Sequence, residues 1–202
     1  DLRRQRQMCI RDSSNTMDDF VVFDIESPGS FDGDVAPLRT FDVDMSQFKP
    51  EQIRFADGSL YVVDARGGTS DIFVFDDPES LSGKVKPDRV INFAGFDNKI
   101  GIDVDEQGRL LVAVRKLGQV LVFCDAKSLD GAVEPSKTLS IADTDVKPQP
   151  AFATTDSQGR LYVADASGNA VFSFDDLTEL ETGDHTPDRT IKTVSYTHLT
   201  LP

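Results

Sequence analysis

Several protein classes depend on residues or segments of which this sequence has few or none. The 202-residue chain contains no apolar run of the roughly 18 residues that a membrane-spanning helix needs, so no such helix is expected. Its two cysteines are too few for a disulfide framework, and its two histidines leave little material for a histidine-rich metal site. Basic residues are scarce: 21 Lys and Arg stand against 35 Asp and Glu, and the net charge of −14 argues against nucleic acid or anionic lipid as a partner.

What the chain does contain is enough apolar material for one sizeable core. Hydrophobic residues make up 39% of it, which excludes a disordered chain. The two ends differ from the rest: 1–13 and 194–202 resemble translated sequencing-adapter sequence. We expect both to be non-native tails and leave them out of the fold prediction. We also expect 14–193 to be a fragment of a longer protein.

The strongest signal between the ends is an internal repeat of about 50 residues. Three landmarks recur with this period: a turn followed by a strand at 57–64, 105–113 and 156–165; a strand that ends in Phe at 21–24, 74–76, 122–125 and 173–175; and a Pro-x-Arg/Lys motif beginning at Pro37, Pro87, Pro135 and Pro187. Three independent landmarks that keep one period indicate a true repeat.

Each repeat contains short strand-like runs and no helical period. In the third copy the runs are 99–104, 109–114, 119–124 and 136–141. The turns between the first three are rich in Gly and Asp, which favours antiparallel hairpins. The runs 110–114 and 120–123 are apolar without alternation, which indicates strands covered on both faces.

Four-stranded sheets that stack face to face with this period are typical of a β-propeller. We therefore predict an all-β fold, a β-propeller of four-stranded antiparallel blades. The predicted units are a half-blade at 18–44 and blades at 51–93, 99–141 and 150–192.

The fourth copy carries the clearest family resemblance. The segments 156–166 and 169–175 are similar to the D-x-x-G-R-L-Y-V-A-D … V-x-x-F-D pattern of NHL-repeat propellers, and the resemblance covers about 16–193. WD-repeat propellers are disfavoured because there is no Trp. The NHL resemblance implies six blades, of which about three and a half would be present. An array that stops short leaves apolar faces uncovered, so we expect an open arc that either is poorly stable or self-associates through its end faces.

In a propeller, the loops between strands 2 and 3 and between blades emerge on one face, where ligand sites are common. A basic spot on this acidic chain favours an acidic ligand or peptide tail, although solvated turn residues would look the same. The candidates for this ligand-binding face are Arg66, Arg115, Lys116, Asp64, Asp165 and Phe96.

Two acidic motifs have both a functional and a structural interpretation. Asp103 and Asp105 followed by Gly108 resemble a calcium loop, but Val114 stands where the bidentate Glu belongs, which favours an Asx turn. The Asp that follows each Phe-ended strand, such as Asp125, suggests acid–base chemistry or, more simply, the cap of a helical turn.

The two other motifs favour structural roles. The basic residue of each Pro-x-Arg/Lys motif, such as Arg89, is expected to protect an outer edge strand from stray pairing. Cys124 lies in a dense apolar strand and is expected to be a small buried residue.

The predicted function is a non-catalytic scaffold that binds a protein, a peptide or a small ligand on the ligand-binding face, without a cofactor. The alternative is a gluconolactonase-like hydrolase, a related six-bladed family whose resemblance implies a divalent cation such as calcium. Ile100 and Ala151 occupy two of the positions where that family carries metal ligands, so the ligands would lie in blades outside this sequence. The acidic, cysteine-poor composition favours an extracytoplasmic location.

Overall fold

The structure, a computed structural model, describes residues 7–11, 19–24, 36–65, 71–93 and 100–192. These residues form a fold of four β-sheets, which confirms the all-β part of the prediction and leaves the propeller itself a prediction. Pairing within each sheet is mainly antiparallel. Propeller closure and the number of blades stay predictions.

The sheets follow one another along the chain, and each takes its main strands from one stretch of sequence. Sheet A contains β1 (Gln7–Arg11), β2 (Asp19–Asp24) and β3 (Arg39–Val43). Sheet B contains β4 (Pro50–Ala56), β5 (Ser59–Asp64), β6 (Asp71–Phe75) and β8 (Arg89–Asn92). Sheet C contains β9 (Ile100–Val104), β10 (Leu110–Val114), β11 (Gln119–Phe123) and β13 (Lys137–Ile141). Sheet D contains β14 (Pro150–Thr155), β15 (Leu161–Asp165), β16 (Ala170–Phe174) and β18 (Arg189–Lys192).

The strands of sheet C lie within one residue of the four predicted runs at each end. The sequence analysis set residues 1–13 aside, yet the backbone of Gln7–Arg11 pairs with β2. Whether those residues are native stays a prediction.

Three short strands, which the sequence analysis missed, connect neighbouring sheets. They are β7 (Gly83–Val85), β12 (Gly131–Ala132) and β17 (Gly183–His185). Each lies between the third and fourth strands of its own repeat but pairs in parallel with the last main strand of the preceding sheet, β3, β8 or β13. Those three strands are therefore not outer edges, and the edge-protection role predicted for their basic residues is wrong.

The apolar core lies between successive sheets. Three clusters of buried side chains form it, one between sheets A and B, one between B and C, and one between C and D. The cluster between B and C joins Tyr61, Val63 and Ile91 to residues of sheet C such as Ile102 and Val112. Both faces of sheets B and C are thus covered, which explains their apolar strands without alternation. Separate sheets that pack face to face agree with the expectation from the repeat.

The first strands of sheets B, C and D approach one another closely. The side chain of Gln52 in β4 donates to the carbonyl of Ile102 in β9 (3.0 Å) and accepts from its backbone N–H (2.8 Å). A Cβ at Gly101 would lie 2.1 Å from the carbonyl oxygen of Ala151, so only glycine fits where β9 meets β14.

Cys124 is exposed, so its predicted burial is wrong. The residue lies just after the last residue of β11, where the strand leaves the core, and its backbone N–H donates to the hydroxyl of Ser136 (3.1 Å).

Candidate ligand-binding site

Four of the six residues predicted for the ligand-binding face can be placed. Arg66 and Phe96 lie outside the described residues. Arg115 follows β10, and its Nε donates to Oε1 of Gln149 in the segment that leads into sheet D (3.1 Å). Lys116 is exposed beside it. Whether this basic pair binds a ligand stays a prediction.

Asp64 and Asp165 are buried and stabilise turns of the protein. Oδ1 of Asp64 accepts the backbone N–H of Lys49 (2.7 Å). Asp165 accepts the backbone N–H of Gln149 and, through Oδ2, the hydroxyl of Ser167 (2.8 Å) and the N–H of Gly168 (2.6 Å). Each carboxylate thus joins the end of the second strand to the start of the first. A signal for this role exists in the sequence.

The signal is that two positions, the last residue of the second strand and the first residue of the first strand, change together from one repeat to another. Where the second strand ends in Asp64 or Asp165, the first strand begins with Pro50 or Pro150. In sheet C both positions are apolar, since Val114 ends the second strand and Ile100 begins the first.

A cavity of about 330 Å³ lies beside the loop that Asp165 stabilises. One wall is the segment that connects sheet C to sheet D, and the other belongs to the loop between β15 and β16 and to β18. The floor is apolar. The lining residues are Asp143, Thr144, Asp145, Val146, Ser167, Gly168, Ala170, Phe172, Thr190 and Lys192.

Hydrogen bonds within the protein fix the polar rim of this cavity. The Lys192 ammonium binds Oδ2 of Asp145, and this hydrogen bond and the ammonium charge lower the pKa of that carboxyl group. Thr144 donates to the carbonyl of Val146 (2.8 Å), and the single proton of the Ser167 hydroxyl is shared between the carbonyl of Lys147 (2.7 Å) and Oδ2 of Asp165 (2.8 Å). The rim is therefore held in place by both loops.

Both carboxylates that line the cavity are hydrogen-bonded within the protein, and one of them is neutralised by a lysine. The Thr186 hydroxyl donates to Oδ2 of Asp143. Since Lys192 compensates Asp145, the lining carries one net negative charge, on Asp143. The rim consists mainly of hydrogen-bond acceptors and hydroxyl groups.

The turns with the D-x-x-G-R pattern hold their own aspartates. Oδ1 of Asp105 accepts the N–H groups of Gln107 (3.0 Å) and Arg109 (2.8 Å), and Oδ2 accepts the Arg109 guanidinium (2.6 Å). Asp156 makes the same three contacts with Gln158 and Arg160. These are the contacts of an Asx turn reinforced by an ion pair, which is the structural alternative to the calcium loop.

The prediction that the Asp after each Phe-ended strand caps a helical turn is wrong. Asp125 precedes the 3-10 turn Ala126–Ser128 without a side-chain capping bond. Asp76 and Asp175 instead bind Arg89 and Arg189 of the Pro-x-Arg motifs. In these two repeats the carboxylate binds an arginine of the adjacent strand, so it does not cap the turn.

A polar cluster that the sequence analysis missed joins the first strands of three sheets. Nε of Arg54 lies 2.6 Å from Oδ1 of the buried Asp103, and the Thr154 hydroxyl donates to its Oδ2 (2.5 Å). Aligning the repeats would have found it, because the three residues pair with equivalent positions, Tyr61, Leu111 and Tyr162, in the second strands. Arg54 and Thr154 each bind one oxygen of the Asp103 carboxylate, so the cluster links sheets B, C and D.

The described residues offer neither a cluster of metal ligands nor a membrane-spanning helix. No group of three or more His, Cys, Asp or Glu side chains there is arranged to hold a metal ion. The same part of the chain has no helix with the length and apolar character needed to span a bilayer.

Comparison with known proteins gives the fold alone. No protein-family model and no curated protein sequence matches the chain. Its structure is similar to that of a protein of unknown function from Bacteroides caccae (13% identity, TM-score 0.50, covering 86% of this chain and 54% of that one). It is also similar to Hsv2 from Kluyveromyces lactis (12% identity, TM-score 0.52, covering 96% and 56%).

The chain therefore spans little more than half the length of these two structures. Both similarities are compatible with a propeller-like fold. The NHL family and the six blades remain predictions.

Proposed function

We propose that this chain is part of an NHL-like β-propeller that binds a small ligand without transforming it. In this proposal sheets B, C and D are whole blades, and the ligand site is the cavity between the connection 143–146 and the loop after β15. The observation that carries the proposal is the cavity itself, which has a polar rim fixed by hydrogen bonds above an apolar floor. Ligand sites in proteins commonly combine these two features.

The lining favours a neutral ligand with several hydroxyl groups, of the size of a monosaccharide. The carboxylate of Asp143 and the hydroxyl groups of Thr144 and Ser167 can accept from hydroxyl donors. Ala170 and Phe172 form a floor that suits the apolar C–H face of a sugar ring. A strongly charged ligand fits less well, because the rim already pairs Lys192 with Asp145.

The test is saturation-transfer NMR with D-glucose, D-galactose and D-mannose as probes. We expect transfer from the protein to at least one sugar. The Thr190→Phe variant should abolish it, because Thr190 is an exposed residue of β18 and a larger side chain there would fill the cavity. The matched control is Thr40→Phe, which changes an exposed strand threonine in sheet A.

Two results would contradict the proposal. One is the absence of transfer to all three sugars with the wild-type chain. The other is equal transfer with wild type and Thr190→Phe, which would place any sugar contact elsewhere.

A further inference from the structure

The outward face of sheet D repeats the interface residues of the sheets before it. Five positions of sheet B that face sheet C are buried in the core. Their counterparts in sheet C face sheet D and are buried as well. The three sets, in the same order, are Tyr61, Val63, Ile72, Val74 and Ile91; Leu111, Ala113, Val120, Val122 and Leu139; and Tyr162, Ala164, Val171, Ser173 and Ile191.

Four of the five positions in sheet D are thus apolar, yet no sheet covers them in the described part of the chain. The clearest contrast is between Ile91, which is 0% exposed, and Ile191, which is 65% exposed. Tyr162 and Val171 are only partly buried. A sheet face that is mainly apolar and includes a largely exposed isoleucine marks an interaction surface, and Ser173, which is 5% exposed, is the one polar position on it.

The basic residues of the Pro-x-Arg/Lys motifs show which hydrogen-bond acceptors a partner of sheet D must provide. Arg89 donates to the carbonyls of Ala126 (3.1 Å) and Leu129 (2.9 Å) in the next repeat. Lys137 donates likewise to the carbonyls of Thr178 (2.9 Å) and Leu180 (2.6 Å). These bonds fasten each sheet to the connection after the third strand of the following one.

Arg189 occupies the corresponding position in sheet D. Like Arg89 it binds the Asp at the end of the third strand, here Asp175. However, its side chain is 61% exposed, whereas that of Arg89 is 13% exposed. Among the described residues, Arg189 has no counterpart of the two carbonyl groups in the next repeat that accept hydrogen bonds from Arg89. The partner that fits is therefore another sheet of the same repeat.

A second copy of this chain carries such a sheet. In sheet A, Val21 corresponds to Leu121 of sheet C, which is buried against sheet B. Asp42 lies on the same face of sheet A by strand alternation and offers a carboxylate acceptor to the exposed guanidinium of Arg189 in sheet D. We propose that sheet D of one copy binds sheet A of a second copy, head to tail.

The test is sedimentation-velocity ultracentrifugation of the 202-residue chain across a wide range of concentrations. We expect a concentration-dependent oligomer. Ile191→Asp should weaken association by at least about tenfold, because the variant would bury an unpaired charge in the interface. The matched control is Leu117→Asp in a loop of sheet C, where the leucine is 41% exposed and outside the proposed interface.

A complementation experiment tests the head-to-tail geometry. Val21→Asp, which changes the sheet A side, should weaken association to a similar extent, and each variant alone should be monomeric at concentrations where the wild-type chain associates. An equimolar mixture with Ile191→Asp should form a dimer and nothing larger, because one intact copy of each face remains. Far-UV circular dichroism checks that both variants fold.

Three outcomes would overturn the proposal. The wild-type chain could be monomeric at every concentration, as it would be if sheet D receives a different partner. Ile191→Asp could associate as the wild type does. Alternatively, Val21→Asp could still associate while Ile191→Asp does not, which would indicate that two D sheets pair with each other.

Discussion

The two faces represented by Ile91 and Ile191 occupy equivalent positions of the repeat, are both mainly apolar, and differ in what covers them. Ile91 is buried between sheets B and C, while Ile191 occupies the same position in sheet D and lies in solvent. Arg89 binds carbonyls of the next sheet, and Arg189 binds only its local aspartate among the described residues. The repeat thus encodes an interface at every sheet, but burial, and with it stability, depends on a neighbouring sheet.

The largest expected effect comes from removing the equivalent isoleucines. Ile91→Ala should lower the free energy of unfolding by about 2–5 kcal/mol, because it leaves a cavity in the core between sheets B and C. Ile191→Ala should change it by less than about 0.5 kcal/mol when the chain is monomeric. Urea unfolding at low protein concentration measures both. Equal losses would show that the exposed face is covered in solution.

The basic residues should show a smaller difference in the same direction. Arg89→Ala leaves the carbonyls of Ala126 and Leu129 without their donor in a partly buried place, which should cost about 1–3 kcal/mol. Arg189→Ala should have no measurable effect, since that ion pair lies in solvent. Arg89→Lys should cost less than Arg89→Ala, because Lys137 binds two carbonyls from the equivalent position and only the paired contacts of the guanidinium with Asp76 would be lost. A loss for Arg189→Ala as large as that for Arg89→Ala would contradict this account.

The parts of the fold that could be predicted are those with local signals. The strands of sheet C were found within one residue, because turn residues and apolar runs mark their ends in every repeat. The short strand β12 was not found, because it has two residues and its partner β8 lies about 40 residues earlier. No local pattern reports a pairing of that kind.

The candidate site was harder to predict because it depends on contacts between repeats. Asp165 was assigned to a ligand face from its place at a strand end, but its carboxylate is used up by Gln149, Ser167 and Gly168. The cavity is lined by the connection 143–146, the loop after β15 and strands β16 and β18, and no one of these segments encodes its width. The rim residues Asp145 and Lys192 become neighbours only after the sheets have packed.

The smallest expected effect is a dependence of the unfolding free energy on pH that arises from Asp76, the partner of Arg89. The Arg89 guanidinium holds the pKa of the Asp76 carboxyl below its ordinary value of 3.8. A carboxyl with a lowered folded pKa contributes stability that is fully present above the unfolded value and is lost as the pH falls through the folded value. Wild type should therefore lose more stability than Asp76→Asn when the pH is lowered from neutral through that range. Urea unfolding at a series of pH values measures the difference between the two proteins. A difference that stays constant with pH would show that Asp76 acts only as a hydrogen-bond acceptor, and that its charge does not stabilise the end of the strand that Arg89 fastens to sheet C.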